Sequence, residues 1–176
     1  MGKVNLKKLL YISLLVAGSV LLNSMDYLIT SPFPFVKIGF SHIVSLVVLY
    51  LFGRKELIFV LLFKVFLVGL IWGKLFTPVF FISLTGNLAA GMFLIVAYRY
   101  FSLIFLSIGG SFFNNFGQSL LVYFLLIPQK KILTIFGIMF LIGIVSGFFV
   151  ALAAKLLLNK LEKYKYFDFR MDDYDI

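Results

Sequence analysis

Apolar runs alternate along this chain with short breaks that carry prolines, glycines or basic residues. Six runs read as helices: Leu9–Ile29, Phe40–Phe52, Leu57–Trp72, Leu75–Tyr98, Phe101–Ile127 and Ile132–Leu158. Crossing a bilayer takes about 20 apolar residues, so the second and third are short for the task. The first opens like a signal peptide, with Lys7 and Lys8 ahead of an apolar stretch and small residues after it. No secreted domain follows it, and a retained first helix is expected.

The breaks are as informative as the runs. Ser31–Gly39 holds Pro32 and Pro34, which remove backbone donors and push their predecessors into extended geometry. Its apolar side chains predict a loop folded back over a bundle. A second break, Trp72–Pro78, separates the third and fourth runs. Both loops fall on the same side, where they read either as a lid over a pocket or as aromatic anchors at the membrane interface.

Composition agrees with a bilayer as solvent. The chain is 62% hydrophobic and only 13% charged, where a soluble domain is closer to a quarter charged. Mean hydropathy is +1.11. The expected fold class is therefore an all-α integral membrane protein with six transmembrane helices in one domain, residues 1–160. A basic-then-acidic cytoplasmic tail follows over 161–176. The net charge of +9 marks a cytoplasmic side rather than nucleic-acid binding. Lys3, Lys7, Lys8, Arg54, Lys55, Arg99, Lys155, Lys160, Lys163, Lys165 and Arg170 fall on one side when both termini are cytoplasmic. Only Lys37, Lys74, Lys130 and Lys131 fall on the other. The expected location is the cell membrane, the inner membrane of a prokaryote. With no cysteine and one histidine, neither a thiolate site nor a metal site nor a cofactor is expected.

Within the runs, Lys64 stands out. A lysine at the centre of a membrane helix costs roughly 2.5–3.5 kcal/mol on the insertion scale, and normally faces a bundle interior or a wet cavity. It reads either as a ligand-binding cation or as a charge that orients the bundle. Ser19, Asn23, Asp26 and Thr30 form one helical stripe in the first run, and Lys64 or Lys37 is the obvious counter-charge for Asp26. Ser111, Asn114, Asn115 and Gln118 share a face of the fifth run. Ser83, Thr85 and Asn87 lie near Gly86, and His42 follows the proline loop. The candidate substrate-binding residues are Asp26, His42, Lys64, Ser83, Asn87, Asn114, Asn115 and Gln118. Amides, hydroxyls, a histidine and a lysine suit noncovalent capture of a polar or anionic small molecule. No catalytic residue is identified, and no nucleotide loop of the G-x-x-x-x-G-K-[ST] kind is present. Gly143, Gly147 and Ala151, four apart, predict close packing inside the bundle in preference to a docking face. Ser13 and Ala17 repeat the pattern more weakly.

Three segments together carry a family resemblance: Lys37–Ile43, Ser83–Gly86 and Asn114–Gln118. In order and spacing the chain resembles the Gx transporter family, commonly labelled heptaprenyl diphosphate synthase component I. That family is similar in architecture to the substrate-binding S components of energy-coupling factor (ECF) transporters. Asn115, Gly117 and Gln118 match the family pattern. His42, Asn114 and Lys64 stand where the family usually has Asn, His and Arg. The resemblance implies an S-component-like bundle with substrate held near the outer face. Its partners would be a coupling transmembrane subunit and ATPases, besides the surrounding membrane lipids.

The synthase label meets a chemical requirement that the chain does not supply. Prenyl diphosphate condensation needs Mg²⁺ held by paired aspartates. The only aspartate cluster, Asp172-Asp173-Tyr174-Asp175, lacks the fifth-position aspartate of an Asp-Asp-x-x-Asp motif and reads as a solvated tail. The principal expectation is thus a substrate-binding subunit of an uptake transporter for a small vitamin-like or anionic molecule, not an enzyme. A non-catalytic accessory subunit in polyprenyl diphosphate and quinone synthesis is the alternative. A membrane component of a flavin-dependent electron-transfer system is a third reading.

Overall fold

A computed structural model of the chain describes residues 6–30, 39–125 and 131–163. The proline-bearing segment 31–38 with Lys37, as well as Lys130 and the acidic tail from 164 onward, lies outside the described residues. Six helices follow one another: α1 Leu6–Thr30, α2 Ser41–Leu51, α3 Arg54–Ile71, α4 Pro78–Ala97, α5 Leu103–Leu125 and α6 Lys131–Lys163. Each corresponds to one of the six apolar runs. α3 begins a turn earlier than its apolar run, because Arg54, Lys55 and Glu56 form its first turn. An acidic residue there complements the positive end of the helix.

The links are short and chemically defined. α2 and α3 are joined through Phe52 and Gly53, and Gly53 has φ 101°, a region that side-chain-bearing residues rarely enter. Pro78 opens α4 at its first turn, where its missing N–H costs nothing. Ahead of it, the Thr77 hydroxyl donates to the Lys74 carbonyl at 2.6 Å.

Three helices contain stretches long and apolar enough to cross a membrane: Leu6–Leu28, Pro78–Ala97 and Gly137–Leu161. α3 carries four charged residues, Arg54, Lys55, Glu56 and Lys64, and α5 carries the amides Asn114, Asn115 and Gln118. The surface of the bundle is apolar. Leu14, Leu21 and Leu28 recur every seven residues along α1 and are each over 60% exposed. Phe124 on α5 and Phe149 on α6 are exposed in the same way.

α2 differs from all the others. Its 11 residues span about 16 Å, roughly half of a hydrocarbon core of about 30 Å. Every residue from Ser41 to Leu49 is buried, as expected of a helix that is apolar all round. It packs against α1, α3, α5 and α6, while α4 closes the ring between α3 and α5. Leu46, Val48 and Leu49 of α2 join Leu57 and Val60 of α3, Leu94 of α4, Leu106 of α5 and Ala154 of α6 in one core.

Close approach of α5 to its neighbours depends on glycine. A Cβ at Gly117 would lie 2.8 Å from the Thr85 carbonyl oxygen of α4, and one at Gly147 would lie 2.9 Å from Ile108 Cα of α5. Ser107 Oγ donates to the Gly147 carbonyl at 2.6 Å across the same interface. Ala151 is buried as well, so the small-residue stripe of α6 is internal packing. Ser13 and Ala17 of α1 are exposed. Gly147→Val should therefore lower thermal stability in detergent by about 1–3 kcal/mol, the usual cost of overpacking. Gly18→Ala, where a Cβ meets nothing within 4 Å, should leave the melting temperature nearly unchanged.

Candidate functional site

The short helix α2 brings its N-terminus to the middle of the bundle. α2 and α3 run antiparallel from the tight Gly53 link. Ser41 lies ten residues from the end of α2 and Lys64 ten from the start of α3, about 15 Å along each helix. Lys64 Nζ is 3.4 Å from Ser41 Oγ, and the lysine is fully buried. The N-terminus of a helix carries the positive end of its macrodipole. A cation and a positive helix end thus meet at one depth, in surroundings of low dielectric where charge acts strongly.

The next residue, His42, is buried and begins a chain of hydrogen bonds into α5. Asn114 Nδ2 lies 3.0 Å from His42 Nε2, and Gln118 Nε2 donates to Asn114 Oδ1 at 3.0 Å. The ring nitrogen accepts from the Asn114 amide in this orientation and would donate to it with both amides turned over, so the chain is satisfied with either tautomer. Gly86 of α4 makes room for the pair. A Cβ there would collide with Asn114 Oδ1 and lie 2.5 Å from Gln118 Cγ. Ser41 and Gly86, both within segments that carry the resemblance, are the members of this arrangement absent from the candidate residues.

The polar stripe of α5, one face in the sequence, serves two interfaces. Asn114 and Gln118 face α2 and Gly86. Asn115 Nδ2 donates instead to the Met139 carbonyl of α6 at 2.9 Å, close to Gly143. Ser111 lies on the same side, and its buried hydroxyl has no hydrogen-bond partner. The four positions cover an arc of about 100° at 3.6 residues per turn, wide enough to meet two neighbours.

The remaining candidates are spread around this centre. Asn87 is buried and donates to the Ser83 carbonyl one turn earlier in α4, at 2.8 Å. It shares a helix face with Gly91, which packs on Leu61 of α3; in this antiparallel pair that brings Asn87 level with Lys64. Ser83 is half-buried. Asp26 is buried in α1, two residues past Ser24, whose hydroxyl accepts from Trp72 Nε1 at 3.4 Å. That end of the bundle also holds Tyr27, with Lys74 Nζ 3.5 Å from its ring centroid. Among the described residues, no group of three His, Asp or Glu side chains could hold a metal ion. The central arrangement can donate and accept hydrogen bonds and neutralise an anion.

Residues 15–157 match the heptaprenyl diphosphate synthase component I family, and the chain belongs to that family. The matched region contains every candidate site residue from Asp26 to Gln118. No curated protein matches the chain, and no solved structure does.

The two α5 interfaces are separable by double-mutant cycles in thermal or denaturant unfolding. His42→Ala and Asn114→Ala should couple, with an interaction energy of about 0.5–3 kcal/mol. His42→Ala and Asn115→Ala should add to within about 0.5 kcal/mol.

Proposed function

We propose that this chain is a membrane-embedded, non-catalytic binding subunit that works with a separate catalytic chain in polyprenyl diphosphate synthesis. The observation behind this is the distribution of carboxylates. Among the described side chains, the carboxylates are far apart: Asp26 is buried toward the Trp72 end of α1, whereas Glu56 sits in the first turn of α3, at the other end, paired with Lys8. Diphosphate departs readily only when metal ions neutralise it, and those ions need carboxylates that converge. A lysine, a histidine and amides bind and orient but supply no such centre. The condensation belongs to the partner, and this chain contributes a membrane anchor and a binding surface for a lipid substrate. Family membership supports this division of labour, since the family's own name is that of one component among others.

A second reading is favoured by the half-length helix. In many membrane transporters, interrupted helices aim their positive N-termini at an anionic substrate near the midplane. α2 with Lys64, His42, Asn114 and Gln118 has that form. The chain would then be an S-component-like subunit taking up a small anionic or vitamin-like molecule, energised by a coupling subunit and ATPases. Both readings share a six-span bundle in the cell membrane with cytoplasmic termini, as the basic residues near Lys8, Arg54 and Arg99 favour.

Native mass spectrometry of the purified protein separates the two. A retained polyprenyl species is the expected result, and a retained water-soluble vitamin would establish the second reading. The purified chain alone should show no prenyl transfer with Mg²⁺ and prenyl diphosphates. Robust turnover would overturn the non-catalytic assignment. On the second reading, Lys64→Met should weaken binding of the anionic molecule about ten- to a hundredfold, the effect of losing one charge-assisted hydrogen bond. An unchanged affinity with a lowered melting temperature would make Lys64 a structural residue.

A further inference from the structure

A groove of about 650 Å³ runs between α1 and α3 on the exposed side of the bundle, away from the His42–Asn114 chain. We propose that it seats a polyprenyl diphosphate, with the isoprenoid chain along the groove and the diphosphate at the Lys55 end. This rests on the polyprenyl reading given above and assigns that substrate a place.

Shape and charge favour this occupant, and the groove is long enough to hold the first units of its chain. From Lys55 to Leu67 the groove follows twelve residues of α3, about 18 Å, more than half of a hydrocarbon core of about 30 Å. Its two walls are unequal. α1 presents the small Ser13 and Ala17, and α3 presents Phe59 and Phe63, whose ring centroids are 4.2 Å apart. The result is a slot with an aromatic wall on one side and small residues on the other. The Ser13 hydroxyl donates to the Leu9 carbonyl at 2.9 Å, so the polar atom in the slot is already satisfied. Charge occurs at one end only. There Glu56 is neutralised by its ion pair with Lys8, which leaves Lys55, with Lys7 nearby in the first turn of α1, exposed to a phosphate group. An apolar slot closed by cations at one end matches an apolar chain ending in an anion.

The test uses the full chain in nanodiscs of phosphatidylcholine. The probe is heptaprenyl diphosphate carrying a photoreactive diazirine on its third isoprene unit, within the length of the groove. Adducts are expected on α1 and α3 groove residues. Ala17→Trp, which fills the slot, should weaken saturable binding about tenfold or more. Lys55→Gln should weaken it less and flatten its salt dependence. Ile138→Trp, on the exposed face of α6, should have no effect. Saturable binding unchanged by Ala17→Trp, with adducts elsewhere, would overturn the groove assignment and leave the polyprenyl reading intact. No saturable binding at all would overturn both. Equal displacement of the probe by phosphatidylglycerol would overturn the assignment in favour of a general lipid site. Should Ala17→Trp fail to fold, the adduct map on the unmodified chain decides the matter.

Discussion

The bundle is organised around the polar N-terminus of its shortest helix, which is buried in the interior. The 11 residues of α2 make a helix about half as long as a hydrocarbon core is thick. Its first turn therefore presents backbone donors, Ser41 and His42 in the interior, where unmet polar groups cost several kcal/mol. The backbone is partly served locally, through His42 N–H to the Gly39 carbonyl at 2.9 Å and Ile43 N–H to the Phe40 carbonyl at 3.1 Å. Side chains from α3 and α5 complete the arrangement. Lys64 approaches Ser41, and Asn114 approaches His42 with Gln118 behind it. Polar residues that would be costly on separate helices are brought to one level.

That convergence requires α5 to come close to both of its main neighbours. Gly86 and Gly117 bring α4 against α5 at the height of the amides, and Gly143 and Gly147 bring α6 against the opposite side. Small residues at membrane-type interfaces allow backbones to approach, and polar side chains then bond across them. Here Ser107 and Asn115 both donate to carbonyls of α6. α5 is thus fixed on two sides, and the amides that face α2 are held in position rather than left to find partners.

Much of this was legible in the sequence because the bilayer imposes a strong pattern. The six apolar runs became six helices, and the breaks at Gly53 and Pro78 fell where backbone chemistry requires them. Lys64 and the amides of α5 were conspicuous because polar groups are rare in such runs. The division of the α5 stripe was not legible. Spacing fixes which residues share an arc, but not how many neighbours that arc meets. The central position of α2 was also hidden, since a short apolar run reads equally as an incomplete span or a core helix. The groove beside α1 has no motif at all. It arises from small residues on one helix lying opposite aromatic residues on another, and Ser13 and Ala17 alone did not announce it.

The functional account joins two features of one architecture, a polar centre at mid-depth and an apolar surface slot with a basic end. It depends most directly on the depth at which α2 begins. The absence of native cysteine makes this measurable in membranes with paired cysteine variants and a short bifunctional thiol reagent. His42→Cys should cross-link to Asn114→Cys and not to Tyr123→Cys, which lies nine residues further along α5, about 13 Å away along its axis. Cross-linking to position 123 in preference to 114 would mean that α2 starts near the membrane surface, and would contradict the account.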